Sequence, residues 1–360
     1  MKIAVTSDFH LGYNEDSFTQ AREALEKASA YDLILICGDI FDSRNPTQET
    51  IYEAVKMLSE TKKKLKPFKI IQNGVEFQNV PIVIPGTHER RSKGAPNIIQ
   101  ILHESGLVVN THAVKTKVEN ILVQGMGGVP DDISLEALKA LNFKPEPGFF
   151  NILLLHQNIK NLEGQSSEFQ EGVLTSELPE NFDLYCDGHV HHHFFSQNIL
   201  IPGSTVVTQM KKIEATPKGF YVYDTESKKA EFKEIKTRKL YVSEVNLENA
   251  SAKEIKQKIE EEISKIPVSI PLPMLRVIVN ATLKEKEDVD LKIKTNKVLL
   301  TIEKNITSST LKDKISQLRS KEYKNNKQKT IELIGRKFEK GDELFEALEK
   351  GEMEKAISLL

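Results

Sequence analysis

Several things are scarce in this 360-residue chain, and each scarcity excludes a class of protein. Only two cysteines occur, Cys37 and Cys186. That is too few for a disulfide framework, so a reducing, cytoplasmic compartment is the expectation. No apolar run approaches the ~18 residues of a membrane span. The opening MKIAVTSDFHLG turns polar too soon for a secretory signal, and no membrane partner is expected. Charge of one sign is not in excess: 50 Lys+Arg face 52 Asp+Glu for a net −2. Any nucleic-acid binding must therefore come from local patches. Internal repeats and low-complexity tracts are missing too. What remains, 39% hydrophobic and 28% charged residues, suits two or three globular domains with a real core.

The first 110 residues alternate short apolar runs with helical patterns. Lys2–Thr6 and Asp32–Cys37 read as buried strands dense in Ile, Leu and Val. Phe18, Ala21, Ala24, Leu25 and Ala28 mark one face of an intervening helix. Thr47 is placed to cap a second helix, with Ile51, Ala54, Val55 and Leu58 on its apolar face and a lysine cluster at its end. Asn73-Gly74 between two strand-like runs predicts a tight hairpin, and Val80–Pro85 a further buried strand. From Leu107 to Ile235 the strands crowd together (ILVQG, FFNILLLH, FDLYCDG, HFFSQNILI, GFYVYDT, AEFKEIK). This half is expected to form a second sheet packed on the first. Beyond Lys239, Tyr241–Leu247, a helix opened by a capping box at Ser251, Met274–Leu283 and Lys297–Glu303 predict a small α+β unit. Residues 311–340 carry ten Lys/Arg and four Asp/Glu, a net +6, and two short helices close the chain.

Most of the nine histidines sit in loops that follow buried strands. Asp8-Phe-His10, Gly38-Asp39, Gly86-Thr87-His88-Glu89, His156 and Gly188-His189-Val-His191 occupy five such loops. Ligand sites in α/β sheets form where loops leave strand carboxyl ends, so these five are positioned to converge. Each motif alone is weak. Jointly, Asp8, His10, Asp39, His88, His156, His189 and His191 offer the oxygen and imidazole mixture suited to Mn, Fe or Zn. Asp39 is placed to bridge two cations.

In their order and surroundings these residues resemble the calcineurin-like metallophosphoesterases, whose pattern is DxH, GD, GNH[DE], H and GHxH. The likeness covers about the first 235 residues. The runs DFHLG, GDIFDSRNPT and IPGSTVVTQ followed by KGFYVYD resemble the DNA-repair branch, the Mre-eleven/SbcD nucleases. The resemblance implies an α/β fold, a two-sheet sandwich flanked by helices. It divides the chain into a nuclease domain at 1–236, a DNA-binding capping domain at 237–311, a basic linker at 312–330 and a helix pair at 331–360. It assigns Asp8, His10 and His191 to one metal, Asp39 as the bridge, and His156 and His189 to the second. His88 would act on the scissile phosphate. The family has Asn where this chain has Thr87, and the Asn amide oxygen ligates the second metal. A hydroxyl reaches less far and is a poorer ligand, so a weaker second site is expected. Asp42 stands where some relatives carry a histidine.

The activity implied is phosphodiester hydrolysis by two divalent metals, Mn2+ foremost, in the nuclease subunit of a double-strand-break repair complex. DNA contacts are expected at Arg90, Arg91, Lys93, Lys211 and Lys212. Leu344, Phe345, Leu348, Ala356 and Leu359 would form an apolar face for an ATPase of the Rad-fifty/SbcC type. A homodimer is implied through helices near residues 46–65 and 90–105. Two other readings stand beside this one. They are a phosphatase or phosphodiesterase for small substrates, and a scaffold subunit whose site Thr87 has weakened.

Overall fold

The computed structural model describes residues 1–90, 94–162, 171–284, 290–308, 330, 334, 340–350 and 352–359. The chain divides into two compact units: Met1–Val242 with Val268–Met274, and Ser243–Pro267 with Leu275–Leu360.

The first unit is built on two sheets. The six-stranded sheet runs in the order Lys229–Glu234, Gly219–Asp224, Lys2–Thr6, Leu33–Ile36, Ile82–Val83, Val109–Asn110. Its last four strands are parallel, with Ile3 beside Leu33 and Ile82 beside Val109. The eight-stranded sheet runs Phe194–Ser196, Ile199–Ile201, Leu184–Asp187, Phe150–Leu155, Ile121–Met126, Thr116–Val118, Lys69–Gln72, Val75–Gln78. Successive strand residues point to opposite faces, which sorts its side chains into two cores. Ile152, Leu154, Leu184 and Cys186 join Ile3, Val5, Leu33 and Leu35 of the first sheet in the shared core. Leu153, Leu155 and Tyr185 pack the other way, against Leu138, Phe143 and Phe182. Helices cover the outer face of the first sheet through Ala21, Ala24 and Leu25 of Glu15–Ala28 and Ala54, Met57 and Leu58 of Gln48–Lys64. The result is the expected helix-flanked sandwich. Local chemistry starts and stops these elements: Thr47 Oγ1 accepts the Thr50 N–H at 3.2 Å as an N-cap, and Asn73 and Gly74 take φ of 49° and 80° at the hairpin tip.

Two expectations need correction. The second sheet is not drawn from residues 107–235 alone: Gly219–Asp224 and Lys229–Glu234 pair antiparallel onto the edge of the first sheet, and the hairpin Lys69–Gln78 joins the second. Pairing follows which edge lies free, a long-range property. HFFSQNILI is a hairpin and not one strand, because Gln197 adopts φ 54° between antiparallel Phe194–Ser196 and Ile199–Ile201.

In the second unit, strands Leu240–Ala250, Met274–Leu283 and Leu299–Ser308 form a three-stranded sheet. Its apolar alternation buries Leu275, Val277 and Val279, and Ile255, Ile259 and Ile263 of helix Ala252–Lys265 are buried as well. The Ser251/Glu254 capping box opens that helix. The third strand begins later than expected and extends past Glu303. Helices Gly341–Glu349 and Met353–Ser358 follow. No described helix is long and apolar enough to cross a membrane.

Candidate metal centre

The parallel strands deliver their following loops to one place in the first unit, and the local backbone there is unusual. Asp8, His10, Asp39 and His189 all take positive φ, at 53°, 47°, 49° and 73°. That region disfavours side-chain-bearing residues by ~1–2 kcal/mol each, a cost that concentrates at functional sites where the surroundings over-determine it. The surroundings are backbone hydrogen bonds that stitch the first two loops together: Asp8 N–H to Gly38 C=O, His10 N–H to Asp39 C=O, and Leu11 N–H to Ile40 C=O, at 3.0, 3.1 and 2.9 Å. Gly86 lets the third loop lie against the second, since a Cβ there would fall 2.0 Å from Asp39 Oδ1.

Three sets of donor atoms result, each within 4.8 Å: Asp8, His10 and His191; His10, Asp39 and His88; Asp39, His156 and His189. The imidazoles are held from behind. His10 Nδ1 lies 3.0 Å from Asp42 Oδ1, His191 Nδ1 3.0 Å from Glu214 Oε1, and His156 Nδ1 2.6 Å from the Cys37 carbonyl oxygen. Each partner accepts, so each Nδ1 carries a proton and each Nε2 is the atom left to face forward for a metal. The Nε2 atoms of His10 and His191 then face one another at 3.2 Å. Two bare lone pairs repel at that distance unless a cation or proton sits between them. Neighbouring ligands of one metal at bonds of ~2.1 Å lie about 3 Å apart. Asp8 Oδ1, 3.8 Å from both Nε2 atoms, and the buried His156 Nε2 have no hydrogen-bond partner among the described residues. His156 Nε2 sits 3.2 Å from Asp39 Oδ2. Orphaned donors aimed at shared points fit two cations bridged by Asp39.

The electrostatics of the bare protein say the same. Burial works to raise Asp39, but the imidazoles of His156, His10 and His88 overcome it and hold the carboxylate well below its usual range. Burial works to lower His156, yet the charges of Asp39 and Asp8 push it up to about 10. His189, buried and beside that positive His156, falls to about 4. A proton on His156 thus supplies the positive charge a metal would bring.

His88 is half exposed, its Nδ1 held by the Asp42 carbonyl oxygen at 2.8 Å. Thr87 Oγ1 donates to Asp39 Oδ2 at 3.3 Å. With His10, Asp42 and His189, His88 lines a cleft of about 430 Å³ that Lys211 also reaches. Arg90 and Lys212 are exposed; Arg91 and Lys93 lie outside the described residues. Leu344 and Ala356 are buried between the two C-terminal helices, with Leu359 packed on them, whereas Leu348 is 48% exposed. Leu344 and Ala356 therefore serve the pair's own packing and do not form an open face.

Three supporting residues stand behind the motif side chains. Glu89 is fully buried and accepts the N–H groups of Phe41 and Gly86 at 2.8 and 2.7 Å, joining two loops. Asp42 orients both His10 and His88. Glu214 orients His191 from 23 residues away. Glu89 and Asp42 adjoin motifs and were within reach of motif reading; nothing in the sequence ties Glu214 to His191.

A profile of calcineurin-like phosphoesterases matches residues 1–193. The chain belongs to the calcineurin-like phosphoesterases. This is a family that uses divalent metals, and the donor clusters above are this member's counterpart. Among curated proteins the chain is similar to the DNA double-strand break repair protein Mre11 of Methanopyrus kandleri, 28% identical over 217 residues covering 53% of this chain and 44% of that protein. It is similar to the Mre11 protein of Archaeoglobus fulgidus, 26% identical over 310 residues covering 74% and 66%. It is also similar to that of Sulfolobus acidocaldarius, 26% identical over 321 residues covering 80% and 77%. The chain thus spans less than half of the first of these relatives and about two thirds of the second.

Proposed function

We propose that this phosphoesterase is a metal-dependent DNA nuclease, the hydrolytic subunit of a cytoplasmic double-strand-break repair complex, with two Mn2+ ions as its cofactors. The observation that carries the metal-dependent part is the pair of opposed Nε2 atoms, His10 and His191, beside the orphaned Asp8 Oδ1. The names of the Mre11 relatives support the substrate.

Asp8, His10 and His191 would hold one ion, His156 and His189 the other, and Asp39 both. When bound, such ions supply Lewis-acid neutralisation of phosphate charge and a nucleophile available at neutral pH. The protein contributes the rest. Asp42, Glu214 and the Cys37 carbonyl set the tautomers of His10, His191 and His156. His88, fixed through Nδ1 and half exposed, keeps Nε2 free to hold a proton for the leaving oxygen. Thr87 adds a hydrogen bond to Asp39 in place of a strong neutral ligand, which favours weaker binding of the second ion.

Arg90 and Lys211 near the cleft, with Arg91, Lys93 and Lys212, would contact DNA phosphates, and the 237–311 region would serve as the capping domain. On the C-terminal pair the exposed apolar residues are Leu348, Met353 and Ile357, at 48%, 61% and 66%. These, with Phe345, would meet an ATPase of the Rad-fifty/SbcC type. Tyr52 and Ile101, 63% and 52% exposed on the helices Gln48–Lys64 and Ile98–Glu104, would serve a homodimer.

The test is nucleotide release from linear duplex DNA with Mn2+. Wild type should act, a chelator should abolish the activity, and His88→Asn should depress it without preventing metal binding. Hydrolysis of bis-p-nitrophenyl phosphate with DNA untouched would favour the small-substrate reading. Inertness toward both would favour the scaffold.

A further inference from the structure

We propose that the buried Glu214–Lys218 pair is a positioning device for one metal position alone. It decides which nitrogen of His191 carries the proton and thereby keeps Nε2 bare. This rests on reading the site as a two-metal centre.

The side chains of Glu214 and Lys218 are 3% and 1% exposed. Burying a charge pair is costly unless each partner is fully satisfied, and these two are. Glu214 Oε1 lies 3.0 Å from His191 Nδ1 and accepts the Gln209 N–H at 3.1 Å and the Thr208 hydroxyl at 3.2 Å. Oε2 accepts the Thr208 N–H at 3.1 Å and Lys218 Nζ at 3.4 Å. Lys218 Nζ also donates to the His191 carbonyl oxygen and to Ser204 Oγ, both at 2.8 Å, anchoring the backbone on which His191 stands.

The chemistry turns on a choice at His191 Nδ1. The Thr208 hydroxyl lies 2.9 Å from that nitrogen and is able to donate to it, which would put the ring proton on Nε2 and close the metal position. An ionised carboxylate beside Nδ1 only accepts. It therefore draws the proton to Nδ1 and takes the hydroxyl's hydrogen for itself. Lys218 makes this arrangement directional. In Glu214→Gln the amide nitrogen cannot face the ammonium, so it turns toward His191 and donates to Nδ1, forcing the wrong tautomer. Removing the ammonium as well, in the double variant with Lys218→Met, lets the amide oxygen turn back.

The whole 360-residue chain, metal-free and Mn2+-loaded, tests this. In the metal-free wild type, long-range 1H–15N spectra should show a proton on His191 Nδ1, whatever proton His10 and His191 share between their Nε2 atoms, and in Glu214→Gln a bare Nδ1. Wild type should bind two Mn2+. Glu214→Gln should keep one site at wild-type affinity and weaken the other 10–100-fold, the usual cost of losing such a partner. The double variant should bind that ion more tightly than Glu214→Gln alone. Thr208→Val, lacking the competing hydroxyl, should keep both ions. A wild-type His191 with no proton on Nδ1 overturns the proposal without any variant. So do a Glu214→Gln protein with both sites intact, and one that loses both sites together with its thermal transition. A wild type that takes up fewer than two ions would instead overturn the two-metal reading itself.

Discussion

Glu89→Gln puts the architecture of the site to a quantitative test. Glu89 is wholly buried and bridges the loop carrying Asp39 to the loop carrying His88, one oxygen to each backbone N–H. A glutamine of the same shape has one accepting oxygen, so its amide nitrogen must face either Phe41 or Gly86. One buried N–H left unmet costs ~1–3 kcal/mol. Glu89→Ala leaves both unmet, ~2–6 kcal/mol before any cavity is counted. The pH dependence sharpens this. Burial, and then the charge of Asp39, push the Glu89 carboxyl up to about 8. The folded pKa lies above the unfolded value of ~4.3, so the folded state holds this proton more tightly. The stability from it is complete below about pH 4.3 and is lost as pH rises through about 8. Glutamine does not titrate. In urea unfolding of the chelated proteins, Glu89→Gln should therefore be less stable than wild type at pH 5, with the gap narrowing and then reversing toward pH 9. A variant as stable as wild type at pH 5, or a gap that widens with pH, would refute the reasoning.

Three further outcomes are expected. Gly86→Ala should fold yet bind Mn2+ at least tenfold more weakly, because its Cβ meets the Asp39 carboxylate at 2.0 Å; calorimetric titration would show it. His156, pushed up to about 10 by Asp39 and Asp8 against its burial, must shed a proton to take a metal. Mn2+ affinity should then rise by about tenfold per pH unit between pH 7 and 9, while the stability this ion pair gives the metal-free protein is present below pH ~6.5 and fades through about 10. A flat affinity profile would count against the assignment. In the C-terminal pair, Leu344→Asp should unfold the helices by placing a charge in their shared core, visible as lost helicity by circular dichroism. Ile357→Asp, on the exposed side, should leave helicity unchanged.

How much of this could be read from the chain depends on how local each feature is. Every proposed ligand lies within a few residues of a strand end, so the strand pattern and the DxH, GD, THE and GHVH runs locate them together; Asp8, His10, Asp39, His88, His156, His189 and His191 all reach one site. Helix caps at Thr47 and Ser251 were equally legible, because capping is settled within three residues. Sheet membership was not. Tyr223 pairs with Ile3 across 220 positions, and no periodicity records that choice. The supporting residues fail for the same reason. Lys218 looks like any surface lysine until the fold buries it beside Glu214, and Leu344 looks exposed until the second helix covers it.

The central claim is that these loops hold two cations bridged by Asp39. Anomalous diffraction at the manganese edge from a Mn2+-soaked crystal addresses it most directly. Two peaks are predicted, one against Asp8, His10 and His191 and a second, of lower occupancy at limiting Mn2+, against His156 and His189. A saturated crystal with no peak at either position would contradict the account.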